Sequence, residues 1–185
     1  MRKLLIVFIT LLFIFNCKQK EIEKSQCIIT YLEGEVKTVI NNKEELAKVG
    51  DILKEEDSII TNKDSIAEIK IGENSIIKIN PDTILKIEIL LKNRSIENSK
   101  VKIIKGEIFT KCNKLNTGSS FEVETKSITV GVRGTEFLVG NEEGKSNVTV
   151  IKGDVAVRKN IEIKKTTELE KVDPILATHI KENLL

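Results

Sequence analysis

Apolar and charged residues alternate with a period of two through most of residues 28–159. Ala67, Ile69 and Ile71 alternate with Glu68 and Lys70; Ile77 and Ile79 bracket Lys78; Leu85, Ile87 and Ile89 alternate with Lys86 and Glu88. Farther along, Phe121, Val123 and Thr125 alternate with Glu122 and Glu124, Val148 and Val150 flank Thr149, and Val155 and Val157 follow Asp154. A strand turns successive side chains to opposite faces, so the pattern predicts sheets with one buried face and one wet face. The runs last about four to seven residues and recur roughly every ten to fifteen, which fits a β-sandwich, barrel or solenoid and not βαβ units.

A short phrase of glycine, an acid and a β-branched residue recurs as Gly34-Glu35-Val36, Gly50-Asp51-Ile52, Gly106-Glu107-Ile108 and Gly153-Asp154-Val155. Each is read as a tight corner from which a strand departs, with the acid left in water. The unequal intervals between them suit an irregular β-solenoid better than a strict repeat. Asn80-Pro81-Asp82 and Asn116-Thr117-Gly118 mark further turns. Helix is expected in two places only. Residues 44–49 suit one short turn. In the C-terminal extension Asp173 can cap, Pro174 fits the first helical position, and Leu176, Ile180 and Leu184 fall on one stripe. That terminal helix either docks on its own domain or serves as a partner-binding tail.

The chain begins with Arg2 and Lys3, then an almost unbroken apolar run over residues 4–15, then Asn16 and Cys17. As a helix such a run spans about 18 Å against a hydrocarbon core of about 30 Å, so it is a signal segment and not a membrane span. The junction resembles the lipobox of bacterial lipoproteins, with Ile14 where leucine is usual and Phe15-Asn16 in place of small residues. The resemblance implies that Cys17 receives a diacylglycerol and becomes the first, fatty-acylated residue of the mature chain. The alternative is a plain secretory signal cut within residues 15–17, leaving Cys17 an ordinary thiol. The expected organisation is a signal over residues 1–16, a polar tether over 17–27, a β domain over 28–160 and the extension over 161–185.

Charge and composition then narrow the chemistry. The formal net charge is +2, but Arg2 and Lys3 leave with the signal, and the remaining 28 basic residues equal the 28 acidic ones. A neutral, mixed surface argues against nucleic acid as partner. Beyond the signal only Tyr31, Phe109, Phe121 and Phe137 are aromatic, too few for base-stacking platforms. The single histidine, His179, cannot supply a multi-histidine metal site or an ordinary catalytic relay. Cys27 and Cys112 either bridge, as export would permit, or stand as two independent thiols. Without a CxxC or Cys/His cluster there is no zinc site and no cofactor to name. The carboxylate pairs Glu122/Glu124 and Glu142/Glu143 are read as solvated charge, so no enzyme is expected.

Residues 128–137 read ITVGVRGTEF. Two strands are expected to meet at a Gly-x-x-Gly corner formed by Gly131, Val132, Arg133 and Gly134, a candidate contact surface together with Thr135 and Phe137. Thr135 is placed to bond local backbone, Phe137 fills the core, and Arg133 projects with a carboxylate as its expected partner. This is no P-loop, since no Gly-Lys-Ser/Thr follows. The stretch resembles the V-R-G-T-x-F hallmark of the FecR domain, named after the regulator of iron-citrate transport. Further matches lie in order: Gly34-Glu35-Val36, Val49-Gly50-Asp51 to Asp57-Ser58-Ile59-Ile60-Thr61, Phe121-Glu122-Val123-Glu124-Thr125, and Val148-Thr149-Val150 to Gly153-Asp154-Val155. The resemblance covers residues 30–158. It implies a periplasmic, solenoid-like β domain that works by protein contact without catalytic residues. In the regulator itself that domain senses a transporter and signals to a sigma factor, but this sequence offers no cytoplasmic anti-sigma region or transmembrane helix for that plan. The expectation is a lipid-anchored envelope protein with a binding or scaffolding module that contacts another envelope protein or the cell wall. The alternative is an accessory sensor in a FecR-type pathway. Lys18, where an aspartate would retain a lipoprotein at the inner membrane in some bacteria, favours the outer membrane.

Overall fold

The computed structural model describes residues 23–24, 26–93 and 95–160, and every regular element among them is a strand. In chain order these are β1 (Glu23–Lys24), β2 (Cys27–Glu33), β3 (Val36–Ile40), β4 (Lys43–Leu46), β5 (Ile52–Leu53), β6 (Ser58–Thr61), β7 (Ile66–Ile71) and β8 (Ser75–Ile79). There follow β9 (Thr83–Asn93), β10 (Ile96–Cys112), β11 (Ser120–Glu124), β12 (Ile128–Val132), β13 (Glu136–Glu142), β14 (Lys145–Lys152) and β15 (Val155–Lys159). The period-two pattern thus yields an all-β chain. Cys17, the signal and the expected C-terminal helix lie outside the described residues.

The sheet curls on itself through β10. Its first half pairs with β9 and β11, and its second half, from Gly106 onward, pairs with β8 and β13. A front sheet therefore runs β4-β3-β6-β9-β10-β11-β12-β15, with the short β1 also on β9. A back sheet runs β5-β2-β7-β8-β10-β13-β14. All neighbours are antiparallel except β10 and β11. Ile69, Ile77, Ile79, Ile108 and Phe137 from the back and Leu85, Ile87, Val101, Ile103, Phe121 and Val130 from the front are buried in one apolar cluster. Burial of each such side chain contributes about 1.5–3 kcal/mol. That cluster is what holds the two faces together.

All four glycine-acid phrases fall where the chain crosses between faces. Gly34 joins β2 to β3, Gly50 precedes β5 after β4, Gly106 bends β10 from front to back, and Gly153 joins β14 to β15. The Gly106 bend is pinned by Thr83, whose hydroxyl accepts from the Glu107 N–H at 3.0 Å and lies 3.2 Å from the Glu107 carbonyl.

Two local expectations are corrected and one open alternative is resolved. Residues 44–49 do not form a helical turn: Asn41 and Asn42 both take positive φ, 52° and 62°, and fold Lys43–Leu46 back on β3 as a hairpin. Ile89 does not face the core. The pairing of β9 with β10 slips between Lys100↔Ile89 and Val101↔Ile87, so Glu88 is an extra residue. Such a bulge reverses the alternation beyond it, leaving Ile89 exposed and Leu90 buried. The bridge between Cys27 and Cys112 is absent, since both are free, buried thiols. Cys27 pairs with Ile71, Ile71 with Ser75 and Ser75 with Cys112, so the two end a rung across four strands. Three strand spacings separate their Cα atoms by roughly 14 Å, about twice the reach of a disulfide.

Candidate interaction site at the Arg133 corner

Between β12 and β13 the chain passes from front to back through Arg133, Gly134 and Thr135. Gly131 is not part of this corner; it sits inside β12, paired with Glu122 and Ala156. Gly134 makes the turn at φ 88°, and a Cβ there would lie 3.3 Å from the Lys114 Cα. Thr135 is held on both sides. Its N–H donates to the Cys112 carbonyl at 2.9 Å and its carbonyl accepts from the Cys112 N–H at 2.9 Å. Its hydroxyl donates to the Asp154 carbonyl at 2.9 Å, across to the next corner and not to local backbone. Val132 and Phe137 point into the core.

Arg133 is the exposed member of the hallmark. Among the described residues its guanidinium donates to the Leu115 carbonyl (3.4 Å, from Nε) and to the Thr117 hydroxyl (3.3 Å), not to the carboxylate expected from sequence. Both acceptors are neutral, so the exposed guanidinium forms no ion pair among the described residues. Beside it runs an open groove of about 430 Å³ lined by Glu122, Gly131, Val155, Ala156 and Asp154. An exposed guanidinium next to a small-residue floor can hydrogen-bond a partner's carboxylate or backbone.

The two cysteines are structural. Burial, with the Asp57 charge adding, pushes the Cys27 thiol up to about 12. Burial also raises Cys112, against the lowering effect of the Ser75 hydroxyl 3.5 Å from its sulfur. Thiols held so far from the thiolate form are poor nucleophiles.

Sequence reasoning missed an ionic cluster on the outer face of the front sheet. Glu124 contacts Lys100 and, at 3.0 Å, Lys102; Glu88 lies 3.5 Å from Lys100 and 3.8 Å from Lys102. Burial raises the Glu124 carboxyl, but hydrogen bonds and charge from the two lysines outweigh it and hold it below its ordinary value. Glu124 is thus a paired charge, not the freely solvated one the alternation suggested. The cluster depends on the parallel register of β10 and β11 and on the bulge at Glu88, neither of which leaves a mark in the sequence. Glu142 ends β13, and Glu143 turns the chain at φ 50° before Gly144. Among the described residues no group of three or more His, Cys, Asp or Glu side chains could hold a metal ion, and no helix is long and apolar enough to cross a membrane.

The site and fold define a protein class: an all-β body whose hallmark residues tie corners together and leave one cation outside. The family described as "FecR protein" matches residues 57–156, more than half of the chain, and the chain belongs to that family. Two crystal structures of a candidate anti-sigma factor from Parabacteroides distasonis ATCC 8503, at 2.50 Å and 1.65 Å, are similar at 20% sequence identity, with TM-scores of 0.46 and 0.45. Each similarity covers 56% of this chain and 50% of the other, so the chain spans half the length of the solved structures it matches. Comparison with curated proteins gives no match.

Proposed function

We propose that this FecR-family chain is a lipid-anchored cell-envelope protein whose β domain binds another envelope protein or a cell-wall component and does no chemistry on it. Residues 1–16 act as the signal, Cys17 carries the acyl chains, and the leash is the stretch 18–22, shorter than the 17–27 expected from sequence because Glu23–Lys24 already pairs with β9. Two or three acyl chains, at about 0.8 kcal/mol per buried CH₂, hold such a protein on a membrane almost permanently. The outer membrane is the favoured site because Lys18 follows the anchor.

One observation carries the binding role. Gly134, Thr135 and Phe137 of the hallmark serve the fold, while Arg133 stands exposed beside a groove and forms no ion pair among the described residues. In-cell cross-linking from the groove, followed by isolation of the conjugate, tests it. A discrete partner lost on Arg133→Ala supports the reading, and an unchanged cross-link pattern refutes it. Mass spectrometry of the mature N-terminus tests the anchor separately: a diacylglyceryl Cys17 is expected, and an unmodified terminus rejects it.

Membership of the FecR family favours a second reading, an accessory regulator that works through a separate membrane protein. Deleting the protein should then alter transcription under iron limitation; an unchanged transcriptome removes that option.

A further inference from the structure

Among the described residues, both ends of the body finish in strands that are paired on one side only. At one end β4 pairs with β3 and β5 with β2; at the other β15 pairs with β12 and β14 with β13. A free edge offers a row of N–H and C=O groups to another strand, and its side-chain charge decides which strand it accepts. Here the two edges differ in sign. β4 sets Glu44 and Glu45 against one Lys43, whereas β15 ends in Arg158 and Lys159 and β14 is bounded by Lys145 and Lys152, all exposed. Glu44 has a loose contact of its own, 3.7 Å from Lys37.

Each end also exposes large apolar side chains. Leu46, Val49 and Ile52 stand out at the β4–β5 end, and Val150, Ile151 and Val157 at the β14–β15 end. Copies meeting by like ends would set carboxylate against carboxylate or cation against cation. Unlike ends pair opposite charges and cover apolar surface on both sides.

Strand sense and facing both permit that contact. From β4 to β15 the front sheet takes six antiparallel steps and one parallel step, so its two edges run in the same direction. From β5 to β14 the back sheet takes six antiparallel steps, with the same result. A copy stacked on the next without inversion therefore brings β4 parallel to β15 and β5 parallel to β14 at once. Cross-strand partners share a face. Val157 lies opposite buried Val130, which puts Lys159 on the inner side and Arg158 on the outer. Glu45 lies opposite buried Thr38, which puts Glu45 inside and Glu44 outside. The alignment that sets Glu44 beside Arg158 thus sets Glu45 beside Lys159, each pair on a common face.

We propose that this chain assembles head to tail with further copies of itself, the β4–β5 end of one molecule adding to the β14–β15 end of the next in that register. Such a contact uses two different surfaces, so every assembly keeps one of each free and grows as a filament unless its rotation closes a ring.

Paired cysteines in the full chain test this. Chains with Glu45→Cys mixed with chains with Lys159→Cys should oxidise to a mixed dimer joining positions 45 and 159 by peptide mapping, and neither variant alone should link at those positions. In sedimentation velocity, Glu44→Lys with Glu45→Lys should weaken association about tenfold or more, and adding Arg158→Glu and Lys159→Glu to the same chain should restore it. Raised salt should weaken association of the parent chain. A disulfide joining position 45 to 45, or 159 to 159, would show like ends meeting and overturn the proposal. A chain that sediments as a monomer at every concentration, or as an assembly indifferent to both charge reversals, would also overturn it.

Discussion

Gly50→Ala and Gly106→Ala together separate backbone strain from close packing. Both glycines take nearly the same conformation, φ 95° and 93°. Their surroundings differ. An added Cβ meets nothing within 4 Å at Gly50, whereas at Gly106 it falls 2.6 Å from the Thr83 Cα. Backbone is the obstacle there, so no rotamer change relieves it. Positive φ costs a side-chain-bearing residue about 1–2 kcal/mol, and the stiffer unfolded chain returns about 0.4–1. Gly50→Ala should therefore cost roughly 1 kcal/mol. Gly106→Ala adds overpacking of about 1–3 kcal/mol, and it also displaces the Thr83 hydroxyl that serves Glu107. A net loss of roughly 2–4 kcal/mol is expected. Urea unfolding followed by far-ultraviolet circular dichroism measures both. If the two variants lose the same stability within about 0.5 kcal/mol, the bend in β10 is not set by its approach to Thr83.

Phe137→Ala, at a fully buried site, should cost about 3–5 kcal/mol in the same assay. Because Glu124 is held below its ordinary value when folded, its contribution is complete above the ordinary carboxylate range and is lost as pH falls through the lowered value. Melting temperature across the acid range should accordingly fall less for Glu124→Gln than for the parent chain. Iodoacetamide should leave Cys27 and Cys112 unmodified in the folded protein and label both in urea, read by intact mass. Thr135→Val removes the bond to the Asp154 carbonyl and should cost about 1–3 kcal/mol by urea melt, while Arg133→Ala should stay within about 0.5 kcal/mol.

The alternation at residues 67–71, 77–79 and 121–125 was readable because no extra residue interrupts those runs; the slip in the β2–β7 pairing falls at Thr30, on the partner strand. It misled at Ile89, where one inserted residue on β9 reversed the phase, and nothing local announces such an insertion. The glycine-acid phrase marked sheet crossings because a corner demands both a special φ and a wet side chain. Asn41-Asn42 held the information that residues 44–49 misstated, since two left-handed asparagines signal a hairpin. Properties that depend on strand order stayed hidden. The distance between Cys27 and Cys112 follows from β2-β7-β8-β10, and the acceptors of Arg133 come from the loop after β10, both settled only when distant segments are assembled. Within the hallmark, the buried Phe137 and the projecting Arg133 were visible in the sequence, but the place of Gly131 inside β12, the reach of Thr135 to Asp154 and the neutral acceptors of Arg133 were not.

Because β10 belongs to both sheets, the body has no seam. A sandwich of two separate leaves could shed one and keep the other, but here one continuous seventeen-residue strand gives its first half to one wall and its second half to the other. Loosening either wall pulls the shared rib out of the other, so the molecule should melt in one cooperative event, and damage anywhere along that rib should be felt on both sides.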